Sequence, residues 1–210
     1  SFQLGFTYLK SKDDILSSEF GTRPKENLVV GTDLFFGFDE RRIQFTSQAA
    51  MSASNSNIAP GSFTDDQIDS LFGSGNPLGG DPSDIKNLRD LLEQFITVNQ
   101  FIKPLNPEEL PTLASEANLT FNYFNNFLKL TYLYRGSDYE SFGQTYLRTD
   151  VAGFNISDNL RLFDNRLFLS VLYEDLKDNL QKSKPATTNY RTLSDRKSVV
   201  LGKSVDIGGG

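Results

Sequence analysis

The chain contains no cysteine, no histidine and no tryptophan. Without cysteine there is neither a disulfide framework nor a thiolate nucleophile. Without histidine the commonest general base and the commonest transition-metal ligand are gone. Long hydrophobic runs are also missing. No stretch approaches the roughly 20 apolar residues of a spanning helix, which excludes a helical membrane protein. There is no basic cluster and the net charge is -6, so no electrostatic footprint for nucleic acid is present. Mean hydropathy is -0.38, yet a membrane β-barrel alternates apolar and polar residues and is not excluded by that value. The chain opens at Ser1 inside a strand pattern, without a start methionine or a signal peptide, as expected of a piece cut from something longer.

What the chain does have is phenylalanine, 18 residues, and tyrosine, 8 residues. Most of them fall in alternating segments. The clearest is Asn118–Arg135, a hairpin with two long arms. Adjacent asparagines tolerate the positive φ of tight turns, so the turn is expected at Asn125–Asn126. That register sets Phe124 against Phe127, Tyr123 against Leu128, Phe121 against Leu130 and Leu119 against Tyr132. One face is then apolar. The other carries Asn118, Thr120 and Asn122, then Lys129, Thr131 and Arg135. Arms of this length suit a tilted strand crossing a bilayer, about 9–11 residues, better than a soluble sandwich strand of about 5–6.

The rest of the chain repeats the plan. Phe2, Leu4, Phe6 and Tyr8 alternate with Gln3, Gly5 and Thr7 as a first strand, and 10–26 reads as a polar loop. Leu28–Phe38 and Ile43–Ser52 form a hairpin about the turn Asp39–Arg42, pairing Phe38 with Ile43, Phe36 with Phe45 and Leu34 with Ser47. After the central hairpin, 136–149 is a loop. Ala152–Leu162 and Leu167–Glu174 then fold about Asp164–Asn165, with Leu162 against Leu167 and Leu160 against Leu169. Asp158 is the exception on their apolar face, and Thr187–Ser194 begins an eighth strand. Turns after strands 2, 4 and 6 are tight, and links after strands 1, 3, 5 and 7 are long. Aromatics gather near both strand ends, as interfacial girdles do.

Residues 55–113 interrupt the pattern. Thr64 and Gln67 have capping-box spacing before a helix running to Leu71 and Phe72 and stopped by Gly73. Asp81 and Pro82 open a second helix with Ile85, Leu88, Leu91, Leu92 and Phe95 on one stripe. The simplest reading packs that stripe on a neighbouring loop. The functional alternatives are a constriction in a barrel mouth or a surface docking site. Asp65, Asp66, Asp69, Asp81 and Asp84 crowd this insertion and raise the question of calcium. The EF-hand pattern is absent, and acids in a helix's first turn are expected from the helix dipole alone. Gly73, Gly75, Gly79 and Gly80 read as flexible loop.

Gly202-Lys203-Ser204 mimics the end of a phosphate-binding loop, but position 197 is lysine where that loop needs glycine. No pair among the 27 acidic residues is singled out for glycoside hydrolysis. No enzyme and no cofactor are expected. Gln44, Thr46, Gln48, Asn118, Thr120, Asn122, Lys129, Thr131, Asn155, Ser157, Asn159 and Arg161 would line a lumen. A wall this polar with few charges suits water and neutral or sugar-like solutes.

The fold expected is all-β: an antiparallel up-and-down meander of about seven to eight long strands. It would form part of a transmembrane β-barrel, with a partly helical loop insertion. On this architecture residues 1–194 resemble bacterial outer-membrane β-barrel proteins of the porin and TonB-dependent-receptor kind, with 55–113 as an extracellular loop insertion. The resemblance rests on layout, so it carries over no functional residues. It implies an outer-membrane location, outer-membrane lipid as partner, and a role as channel, transporter or surface receptor. Asp195–Gly210 resembles a translated sequencing adapter, departing from it at Leu201, Ile207 and Gly210, and is expected to be a non-native tail. The alternative to the barrel is a secreted or periplasmic β-sandwich binding module, with carbohydrate as its ligand class.

Overall fold

A computed structural model describes residues 1–17, 19, 21–72, 81–103, 110–144, 146–164 and 166–199. Gly73, Gly75, Gly79, Gly80, Asn165 and the 202–204 motif lie outside the described residues.

Alternation of side chains builds eight strands, and all pair in one antiparallel sheet in sequence order. They are β1 (Phe2–Lys12), β2 (Glu26–Phe38), β3 (Ile43–Asn55), β4 (Leu113–Tyr123), β5 (Asn126–Arg135), β6 (Val151–Leu162), β7 (Leu167–Asp178) and β8 (Asn189–Val199). The helices α1 (Asp65–Phe72) and α2 (Pro82–Glu93) lie in the insertion between β3 and β4. Strand lengths run from 10 residues in β5 to 13 in β2 and β3. The sheet is not closed: β1 and β8 are both edges. Neither helix is long and apolar enough to cross a membrane, which says nothing of crossing by strands.

Two hairpins have the expected register. Phe38 pairs with Ile43, Phe36 with Phe45 and Leu34 with Ser47, and Leu162 pairs with Leu167 and Leu160 with Leu169. The central hairpin differs. Its turn is Phe124–Asn125, with φ of 51° and 60°, and Asn126 opens β5 opposite Tyr123. Every partner moves by two positions, so both faces survive. The gain is in the pairs. Leu119 meets Leu130, Phe121 meets Leu128, and Ala117 meets Tyr132. On the polar side Asn118 faces Thr131, whose hydroxyl donates to Asn118 Oδ1 at 2.7 Å. The expected register would have set Asn118 against Leu133. Cross-strand pairs outweigh the turn preference of an Asn-Asn step.

Two boundaries also shift. β1 runs past Tyr8 to Lys12, where the sequence suggested loop, because Leu9–Lys12 find partners at Glu26–Val29 and Lys10 Nζ lies 3.3 Å from Glu26 Oε1. β8 runs through Ser194 into the stretch expected to be a non-native tail, pairing Asp195 with Val171 and Val199 with Leu167.

Burial is concentrated at the end of the sheet where the long links lie. Glu26, Asn27 and Val29 of β2, Ser52–Asn55 of β3, Val151 and Ala152 of β6, and Leu176 of β7 are buried there, and Ile58, Ile68 and Ile96 are buried within the insertion. Asn55 and Asn99 bind this layer together. Asn55 Nδ2 donates to Thr97 O and Asn99 Oδ1 at 2.8 and 2.9 Å, and Asn99 Nδ2 donates to Asn57 O and Gly61 O at 3.0 and 2.9 Å. Beyond that layer the apolar face lies open. Phe6 is 80% exposed, Phe38 61%, and even Tyr132 and Phe154, in interior strands, are 53% and 42% exposed.

Candidate functional site

Antiparallel pairing puts alternate residues of neighbouring strands on one face. All twelve residues expected to line a lumen share the polar face, and most stand in rows across it. Gln44, Thr120, Lys129 and Ser157 form one row, and Thr46, Asn118, Thr131 and Asn155 the next. Gln48 lies beside Glu116, Asn122 and Asn159 flank Phe127, and Arg161 pairs with Phe168. The face is cross-linked by its own side chains. Asn118 Nδ2 donates to Glu116 Oε1 at 3.0 Å, and Ser170 Oγ donates to Asn159 Oδ1 at 2.8 Å.

The same face holds residues outside those twelve. Asp33, Glu116, Arg135, Glu174 and Ser170 lie on it by register. So does a covering segment, 136–144, which leaves β5 and folds back over the polar face. Asn27 clamps it: Asn27 Nδ2 donates to Glu140 O at 2.9 Å and Phe142 N donates to Asn27 Oδ1 at 3.2 Å. Glu140 N donates to Ser52 Oγ at 3.0 Å. Further along, Gly143 approaches Leu9 of β1, where an added Cβ would stand 3.2 Å from Leu9 Cδ2. From β5 to β1 the segment therefore crosses roughly 19 Å of sheet at about 4.8 Å per strand. Its departure needs Gly136, because a Cβ there would overlap the carbonyl of Pro111.

Two of the segment's groups have shifted titration. Burial raises the Tyr139 hydroxyl's pKa. Burial also pushes the Glu140 carboxyl up, but the Lys103 ammonium, 3.2 Å away, together with Ser54 and Lys25, outweighs it and holds Glu140 below its ordinary value. Between sheet and segment is a cavity of about 510 Å³, lined by Asp33, Gln48, Glu116 and Arg135 from the sheet and Tyr139 and Gln144 from the segment. Its floor is small, since Gly31, Ala50 and Ala114 form one row across β2, β3 and β4.

The insertion's helices form as expected. Thr64 N donates to Gln67 Oε1 at 2.9 Å and Gln67 N to Thr64 Oγ1 at 3.3 Å, a reciprocal capping box. Asp81 caps α2 by accepting from Ser83 N at 2.9 Å, and this holds its pKa down. Asp65 accepts from Arg89 at 2.7 Å and Asp69 from Lys86 at 2.9 Å. These acids serve as caps and ion pairs, and among the described residues no group of three or more acidic residues is placed to hold a metal. The α2 stripe is not packed away as the simplest reading had it. Leu88, Leu91 and Phe95 are exposed, while Ile85 and Leu92 are half-buried. The side of α2 that carries Lys86 and Arg89 faces α1, where they pair with Asp69 and Asp65.

Comparison with family models, curated proteins and solved structures finds no match to this chain.

Proposed function

We propose that the chain is part of a bacterial outer-membrane β-barrel acting in solute passage or uptake, as channel, transporter or surface receptor. The observation that carries this reading is one continuous meander of long strands with an uncovered apolar face and a hydrogen-bonded polar face. Long links lie at one end and tight turns at the other, as in outer-membrane barrels. Magnitude favours lipid over water as the cover. Phe2, Leu4, Phe6, Val30, Phe38, Met51, Phe154 and Val171 all stand exposed on that face. Full burial of such a side chain is worth about 1.5–3 kcal/mol, and with about half of each still exposed the eight together represent on the order of 6–13 kcal/mol. That is comparable to the roughly 5–15 kcal/mol by which a domain is stable at all. A β-sandwich would cover the face with a second sheet, and the described residues form a single one. The 55–113 insertion then lies outside the membrane at the extracellular end, and the polar face lines the passage.

The test uses the complete gene product in its native envelope. The reading expects that salt and urea washes leave it in the outer membrane and that its gel mobility in detergent shifts on heating. Cysteine at Leu130 should react with lipid-soluble but not aqueous reagents, and cysteine at Thr131 with aqueous ones. Release by washing, no heat shift and a Leu130 cysteine inert to both reagents would overturn it.

A further inference from the structure

We propose that the exposed stripe of α2, formed by Leu88, Leu91 and Phe95, is a docking face for a cationic amphipathic helix of another polypeptide. The stripe belongs to the insertion itself, and the barrel reading adds only that it faces the outside of the cell.

The insertion's own core does not use these side chains. That core is Ile58, Ile68 and Ile96, each at most 2% exposed. Glu26 Oε2 accepts from Thr97 N at 2.8 Å and ties the insertion to the sheet, so the stripe stands on a fixed support. Leu88, Leu91 and Phe95 are 54%, 58% and 42% exposed. Their spacing of three and then four residues is that of the anchors by which one helix lies against another.

Charge selects the occupant. Residues 61–95 hold seven acidic and two basic side chains, so five of the chain's six net negative charges fall there. Both bases are engaged: Lys86 with Asp69, and Arg89 with Asp65 and Asp90. Asp84 lies one turn before Leu88 on the same exposed side of α2. Among the described residues its carboxylate has no hydrogen bond or ion pair, and the exposed Asp66 and Glu93 carboxylates have none either. An apolar stripe in an acidic field fits a partner that is apolar on one side and cationic along its flanks. A second copy would set acid against acid in an isologous contact. The linker 73–80 carries Leu78 but no cation to answer the acids.

The probe is a synthetic helical peptide of leucine and lysine with its leucines on one face. It is titrated by fluorescence anisotropy against the complete gene product in phosphatidylcholine nanodiscs, with empty discs as blank and the heat shift as folding control. Binding should saturate and weaken as salt rises. Leu88→Ser combined with Leu91→Ser should lower affinity at least about tenfold, and Asp84→Asn should lower it about twofold at low salt only. The same peptide with glutamate in place of lysine should not bind. A folded barrel that ignores the lysine peptide overturns the docking face and leaves the barrel standing. Equal binding of both peptides overturns the cationic partner. Binding untouched by the leucine substitutions lies elsewhere and overturns the stripe. Binding that appears only in Leu78→Ser gives the stripe to the chain's own linker and overturns the external partner. A gene product washed free of the outer membrane is titrated in buffer, where stripe-dependent binding upholds the docking face although the barrel reading has fallen.

Discussion

Asp158 sits on the apolar face, paired in register with Leu128 and Val171, and its Oδ1 is shielded without a hydrogen-bond partner. If that face meets lipid, the carboxyl contributes only cost. Asp158→Leu should then stabilise the folded barrel by about 1–2 kcal/mol, read as a higher urea midpoint in detergent or bilayers. Destabilisation would mean that Asp158 meets a polar partner on that face. Glu140 gives a pH prediction of definite sign. Its folded-state pKa lies below the ordinary carboxylate value of about 4.3. Its contribution is therefore complete above the ordinary value and fades as pH falls through the lower folded one. Amide protection across 136–144, corrected for the intrinsic pH dependence of exchange, should hold steady from neutral pH down to the ordinary carboxylate range and fall below it, with Glu140→Gln removing that acid step.

Hairpins are the elements on which local signals and pairing compete. Phe124 holds φ of 51° and is 93% exposed, an uncomfortable place for an aromatic residue. Left-handed backbone costs a non-glycine residue roughly 1–2 kcal/mol. Phe124→Gly should relieve part of that and stabilise the hairpin by up to about 1 kcal/mol. Had the turn been Asn125–Asn126, Phe124 would be a strand residue and the same change would cost about 0.5–1 kcal/mol. The sign of the shift in the unfolding midpoint thus reports the register. The faces were legible in the sequence because a two-residue register shift leaves them alone. The turn was not, because it depends on Leu119 finding Leu130 and Asn118 finding Thr131. The capping box at Thr64 and Gln67 was legible because its partners are three residues apart. The exposed stripe of α2 was not, since which side faces α1 depends on partners such as Asp65 and Asp69, some 17 to 24 positions away. The 136–144 cover was least legible of all. Its clamp joins Asn27 to Glu140 and Phe142, over a hundred positions on, and the hint lay only in Asn27 and Ser52 standing polar at buried strand ends.

At the scale of the molecule, the buried layer at one end and the bare sheet beyond it set opposite demands on solvent. Glu26, Asn27, Asn55 and Asn99 lock the loop end with hydrogen bonds that need no lipid. The strands below offer water an apolar band and two unpaired edges, β1 and β8, which is a template for association. The chain by itself, refolded in buffer, should therefore sediment as aggregates, while detergent micelles or lipid vesicles should keep it dispersed with strand-rich circular dichroism. Detergent is decisive because it covers the apolar face without mending the edges. If the bare face drives association, micelles alone suppress it. If the edges drive it, micelles leave aggregates, and lysines placed on the exposed edge of β1 disperse them instead. A monodisperse, folded chain in plain buffer would mean that the apolar face has a cover within the protein, and the lipid assignment would fall with it.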